Sequence, residues 1–180
     1  MPDPQSIALV GLSGVGKSSV GRRLAARLGW PLLDTDALIA EAAGRTVAQI
    51  FADAGEPRFR DLEAAALQRA FSISPCVVST GGGIVLRPEN RALLRLHAFV
   101  VWLDAPTETL VVRLQAHDEA RPLIGDADPA ARLDALRAAR AGLYAEVAHA
   151  RVDAAGYGVD EICGRVLQLL ALSMGENSSS

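Results

Sequence analysis

Short apolar runs recur along the chain at 7–10, 31–34, 76–79, 98–103 and 150–153. They are largely non-alternating, which predicts strands buried on both faces rather than strands with one wet side. Between them apolar residues return at spacings of three and four. That pattern predicts helices over roughly 17–28, 36–43, 47–53, 56–71, 88–96, 106–117, 130–147 and 159–172. Strands alternating with helices predict a parallel sheet covered on both faces, in one domain spanning residues 1–180. Residues 1–5 and 175–180 read as frayed ends. Ligands of such sheets gather at the carboxyl ends of the strands. Chemistry is therefore expected just after Val10, Asp34, Ser79 and Leu103.

Composition narrows the picture without redirecting it. Half of the 180 residues are apolar and only 4% are aromatic, so the core is built mainly from Ala, Leu and Val. A net charge of −3 gives no support to a nucleic-acid partner, because acidic residues are interspersed with the arginines. Cys76 and Cys163 are far apart and fit neither a zinc nor a disulfide framework; both read as packing residues. The histidines His97, His117 and His149 are scattered and form no metal set. Residues 71–86 lie in the longest uncharged stretch, but Pro75 and three glycines exclude a membrane helix. No signal-peptide pattern opens the sequence. A soluble cytoplasmic protein is the expectation.

Of the 18 cationic side chains only Lys17 is lysine, and it lies in Gly11-Leu12-Ser13-Gly14-Val15-Gly16-Lys17-Ser18. This is the phosphate-loop pattern G-x-x-x-x-G-K-[ST], placed between a strand and a helix as it must be to work. Its glycines let successive backbone N–H groups turn onto a phosphate chain at the positive end of the helix. Lysine can follow the outer phosphates on a flexible stem, where a planar guanidinium is bulkier. The expected nucleotide-binding set is Gly14, Val15, Gly16, Lys17, Ser18 and Ser19, with Ser19 also readable as an ordinary helix residue. The Ser18 hydroxyl is placed for the magnesium that accompanies ATP.

Further candidates follow the other strands. Asp34-Thr35-Asp36 closes the second one. If extended geometry persists through Thr35, both carboxylates share a side. Asp34 would then hold magnesium, directly or through water, and Asp36 would orient or deprotonate an acceptor hydroxyl. Alternatively Asp36 caps the next helix. Arg60 with Glu63 reads either as an i,i+3 surface pair, which spacing alone favours, or as a guanidinium held for a substrate carboxylate. Gly81, Gly82 and Gly83 follow the third strand, and suit either a close backbone approach to a ligand or a hinge. Residues 117–129 carry Pro122, Gly125 and acidic residues around Arg121. They read as a lid, with Arg121 neutralising a phosphoryl group in flight, or as a plain loop. Arg140 lies on an arginine-rich helix from which spacing cannot single it out. Arg113 could stack on adenine or face solvent.

Taken in order, these residues resemble shikimate kinase, a small phosphate-loop kinase of aromatic amino-acid biosynthesis. The resemblance runs from about Ile7 to Leu172. It is carried by Asp34-Thr35-Asp36, Phe59-Arg60 with Glu63, the three glycines, Arg121-Pro122-Leu123, and Arg140 four residues before Tyr144. It implies a five-stranded parallel sheet in order 2-3-1-4-5 with a mobile lid. It further implies ATP and Mg2+ as cofactors, shikimate as the small-molecule substrate, and a monomer. On this resemblance Lys17, Asp36 and Arg121 are catalytic, Ser18 and Asp34 face the metal, and Arg121 also contacts nucleotide. Asp36, Arg60, Gly81, Gly82, Gly83 and Arg140 hold shikimate, with Phe51 and Phe59 lining its pocket. Two departures stand out: Gly142 replaces a frequent proline, and 153–157 lacks the basic residue that often flanks adenine. A gluconate-type kinase and a non-catalytic ligand sensor are the competing readings. The first would not need Asp36, Arg60 and Arg140 together, and the second would not need Asp36 or Lys17.

Overall fold

β1 (Ile7–Val10) is wholly buried and lies at the centre of a sheet in the order β2-β3-β1-β4-β5. The computed structural model describes residues 6–116 and 128–177. The other strands are β2 (Leu32–Asp34), β3 (Val77–Ser79), β4 (Phe99–Asp104) and β5 (Ala150–Asp153). Every pairing is parallel. Leu9 registers with Ser79 and Val101, and Asp34 with Ser79, so the carboxyl ends of four strands open on one rim. Strand order and parallel pairing match the expected fold class. β1, β3 and β4 are buried throughout as expected, whereas the edge strands β2 and β5 are only partly buried, having a neighbour on one side alone.

Among the described residues seven α-helices cover the sheet. They are α1 (Lys17–Leu28), α2 (Thr35–Ala43), α3 (Val47–Phe71), α4 (Pro88–His97), α5 (Thr107–Ala116), α6 (Pro129–Val147) and α7 (Val159–Asn177). The chain moves one way from β1 to β2 and the other way from β3 to β4 and β4 to β5. Right-handed crossovers must then place the connecting helices on opposite faces. Accordingly α1 packs with α7, while α4 packs with α3 and α6. The main core joins β1, β3 and β4 to Val20, Leu24, Leu67, Leu94, Leu110, Tyr144 and Val166. A smaller cluster of Ile39, Ile50, Phe59 and Ala66 holds α2 against α3.

Local chemistry sets the helix ends. Thr46 and Gln49 form a reciprocal capping box at the start of α3. Gly55 (φ 74°, ψ 177°) breaks α3 where the sequence predicts a gap between two helices, and Pro57 restarts it. α6 runs straight through Gly142, whose position is open enough that an added Cβ would touch nothing. One expectation needs correction. α7 continues to Asn177, so 175–177 are helical rather than frayed. The buried Val166 and Leu170 anchor the preceding turns, and Ser173 bonds the Leu170 carbonyl.

Candidate active site

The phosphate loop is built from backbone that only glycine adopts readily. Gly11 has φ 140° and approaches the Leu103 carbonyl so closely that a Cβ would collide with it; Gly16 has φ 103° at the cap of α1. No side chain caps α1. Its first N–H groups are therefore left for an anion. Lys17 is 8% exposed, and its ammonium donates to the Gly11 and Leu12 carbonyls at 2.8 and 2.9 Å. The loop thus carries its own cation folded against it. Val15 is buried, and its carbonyl accepts from Arg113 at 3.2 Å; the same guanidinium donates to the Ala154 carbonyl at 2.8 Å. Arg113 therefore ties the loop to the segment after β5.

Ser18 is exposed at the rim. Its hydroxyl donates to Asp34 Oδ2 at 3.0 Å and lies 3.2 Å from Ser79 Oγ. These are hard oxygen donors clustered beside the loop. Magnesium usually takes one or two protein oxygens and keeps several waters, so the donor set fits that ion. No cluster of three or more acidic, His or Cys ligands exists among the described residues, and none is needed. Ser19 is exposed on the next position of α1.

Asp34 and Asp36 do not share a strand face. Extended geometry stops at Asp34, whose carboxylate accepts from the Asp36 and Ala37 N–H groups and caps α2. The cap is thus Asp34, not Asp36. Because Thr35 begins the helix, the two acids diverge. Asp34 turns to Ser18, whereas Asp36 Oδ1 lies 2.9 Å from the position a Cβ on Gly81 would take. Thr35 between them is fully buried and accepts from the Gly81 N–H at 2.9 Å.

Arg60 and Glu63 are no surface pair. Glu63 is fully buried and the Arg60 side chain is 11% exposed, with 2.8 Å between Nη1 and Oε2. Glu56 holds the other side of the guanidinium at 2.9 and 3.2 Å. Burial works against the Arg60 charge, but the two glutamates more than offset it and its pKa stands above the ordinary value. Burial raises the Glu63 carboxyl, and Arg60 restrains that rise. Phe59 packs on Phe51 with ring centroids 4.4 Å apart, beneath Arg60.

The three glycines meet these groups in turn. A Cβ on Gly81 would press on Asp36 and Glu63, one on Gly82 would lie 3.5 Å from Arg140 Nη1, and one on Gly83 would collide with Arg60. None of the three has positive φ. Gly81 and Gly83 are small for want of room, not for want of a turn, whereas a Cβ on Gly82 would make ordinary contact. Tyr144, fully buried on α6, donates to the Gly82 carbonyl at 2.6 Å and feels the charge of the Arg140 guanidinium. Burial pushes its phenol up to about 12, with Arg140 opposing the shift. Asp36, Arg60, Arg140 and the glycine loop thus meet in one place. The participation of Tyr144 was not foreseen, although its position four residues after Arg140 puts both on one helix face.

Arg121 and the lid expected over 117–129 fall outside the described residues, apart from 128 and 129. There Asp128 caps α6 through the Ala130 N–H. Asp104 at the end of β4 accepts from Arg137 and Arg151, each at 2.6 Å, beside a cleft of about 430 Å³. These bonds fix α6, one turn ahead of Arg140, to the sheet. Tyr157 is covered on one ring face by Arg165 at 3.6 Å. Cys76 and Cys163 are both buried. Among the described residues no helix is long and apolar enough to cross a membrane.

The shikimate kinase family profile matches residues 13–171 of this chain. A shikimate kinase of Symbiobacterium thermophilum is 48% identical over 166 residues, covering 92% of this chain and 95% of that protein. Among solved structures, shikimate kinase from Acinetobacter baumannii in complex with shikimate superposes with a TM-score of 0.89 at 36% identity, covering 94% of both chains. A gluconokinase from Sinorhizobium meliloti is more distant, with a TM-score of 0.65 at 26% identity, covering 98% of this chain and 97% of that one.

Proposed function

This chain belongs to the shikimate kinase family, and we propose that it transfers the γ-phosphoryl group of ATP to the 3-hydroxyl of shikimate, giving shikimate 3-phosphate and ADP. The observation that carries this reading is the convergence of Asp36, Arg60 and Arg140 on the glycine loop beside the phosphate loop. A gluconate-type acceptor would not call for that combination. The family uses ATP. Catalysis of phosphoryl transfer is mainly positioning and charge stabilisation, because the transition state is loose and charge-rich.

The N–H groups of Gly14, Val15, Gly16, Lys17, Ser18 and Ser19 are the proposed cradle for the phosphates. Lys17 exchanges the Gly11 and Leu12 carbonyls for phosphate oxygens when nucleotide arrives. Ser18 and Asp34 are the residues that would hold magnesium, Asp34 directly or through water. That ion, when bound, would neutralise phosphate charge. Asp36 accepts a hydrogen bond from the acceptor hydroxyl and takes its proton as the new O–P bond forms and the bridging β,γ P–O bond breaks. Arg60 and Arg140 grip the shikimate carboxylate from two sides, with the backbone of Gly81, Gly82 and Gly83 beneath the ring. Glu63 and Glu56 hold Arg60 in place for this task. Arg121 is proposed from the sequence alone as the lid cation that meets the transferring group. The whole chain is proposed to act as one catalytic unit, a cytoplasmic monomer without a nucleic-acid partner.

ADP release by the purified protein with MgATP and shikimate, gluconate or no acceptor tests the proposal. Turnover with shikimate alone is expected. Turnover with gluconate, or equal background in all three arms, would exclude the assignment.

A further inference from the structure

We infer that Tyr144 is a positioning residue for the acceptor, acting through Gly82 rather than by touching substrate. The inference rests on the shikimate reading and concerns a side chain to which that reading gives no task. Tyr144 sits one helical turn after Arg140 on α6 and is 1% exposed, with its ring beside Trp102 at a centroid distance of 5.8 Å. Packing alone would be served by phenylalanine. The hydroxyl makes a bond that packing does not require. It donates to the Gly82 carbonyl, 62 residues upstream.

The glycine loop is otherwise fixed at its two ends. The Gly81 N–H is bound to Thr35, and the turn beyond closes through Ile84 N–H to Gly81 O and Leu86 N–H to Gly83 O. The middle peptide, with no side chain of its own, is held from α6 through its carbonyl. A peptide group is planar, so fixing the Gly82 carbonyl also fixes the N–H of Gly83 in the same plane. That N–H donates to no other described residue. One hydroxyl therefore sets the direction of a loop donor that faces the acceptor site. Burial keeps the phenol protonated throughout the pH range in which a kinase works, so the donation to Gly82 is constant.

Tyr144→Phe removes the hydroxyl and leaves the ring. The two substrates should respond differently, because the nucleotide loop is built from β1 and α1 and has no bond to Tyr144. Initial-rate kinetics with each substrate varied, calorimetric shikimate affinity and thermal melting should be measured on full-length wild type and variant. Expected is a rise of about tenfold in KM and Kd for shikimate, with KM for ATP within about twofold and a cooperative melt retained. Shikimate constants within about twofold of wild type would overturn the inference. So would an equal loss for both substrates, or a variant that fails to fold, since the hydroxyl would then be a structural bond. A wild-type protein that does not phosphorylate shikimate would instead sink the functional reading beneath it.

Discussion

The guanidinium of Arg60 occupies the space in which any side chain on Gly83 would have to begin. A Cβ at Gly83 would meet Nη1, Nη2 and Cζ of Arg60. Gly83 has φ −95°, open to any residue, so contact rather than dihedral demands glycine there. Arg60 has little freedom to step aside, because Glu56 and Glu63 hold it on two sides. Gly83→Ala should therefore displace the arginine from its proposed substrate-facing position and cost about 1–3 kcal/mol in kcat/KM for shikimate. KM for ATP should stay near wild type. Steady-state kinetics of the alanine variant check this, and an unchanged kcat/KM would show that Arg60 does not need its present place.

The divergence of Asp34 and Asp36 separates two effects that their spacing alone merges. Asp36→Asn should lose about 2–4 kcal/mol of transition-state stabilisation while nucleotide affinity survives. Asp34→Asn should keep the fold, because asparagine caps helices as well as aspartate does. It should instead raise the magnesium concentration needed for half-maximal rate. Magnesium titrations of both variants would distinguish them. An identical magnesium requirement in wild type and Asp34→Asn would remove Asp34 from the proposed metal site.

The phenol of Tyr144 adds a pH signature. Its folded pKa of about 12 lies above the ordinary value of 10.0, so the folded state holds the proton more tightly than the unfolded chain does. The stability linked to that proton is present in full below pH 10 and is lost as pH rises toward 12. Between about pH 9 and about pH 11 the wild type should lose more urea resistance than Tyr144→Phe does. Equal slopes would mean that the buried phenol ionises as freely as in the unfolded chain.

Much of this molecule was legible in the sequence because its signals are local. The five strands and the break at Gly55 follow from runs and punctuation a few residues long. The phosphate loop is a backbone device whose glycines mark it directly. Arg60 and Glu63 were harder, since an i,i+3 pair looks the same on an exposed helix as on a buried one; only the glycine loop packed against it puts the pair inside. Asp34 misled because the string does not say where strand period gives way to helix period, and its own carboxylate makes the change by capping α2. Tyr144 was hidden by distance. Its partner Gly82 lies 62 residues earlier, and only the packing of α6 across the sheet brings them together.

The most direct measurement compares shikimate with the corresponding alcohol, which lacks the carboxylate, as acceptors for wild type and Arg60→Ala. Charge-assisted hydrogen bonds from Arg60 and Arg140 are worth about 1.5–3 kcal/mol each, so wild type should prefer the acid by at least about a hundredfold in kcat/KM. In Arg60→Ala that preference should shrink by about tenfold or more, with KM for ATP little changed. A preference of the same size in both proteins would contradict carboxylate recognition by Arg60. Phosphorylation of acid and alcohol at equal rates by the wild type would contradict the reading of the whole pocket.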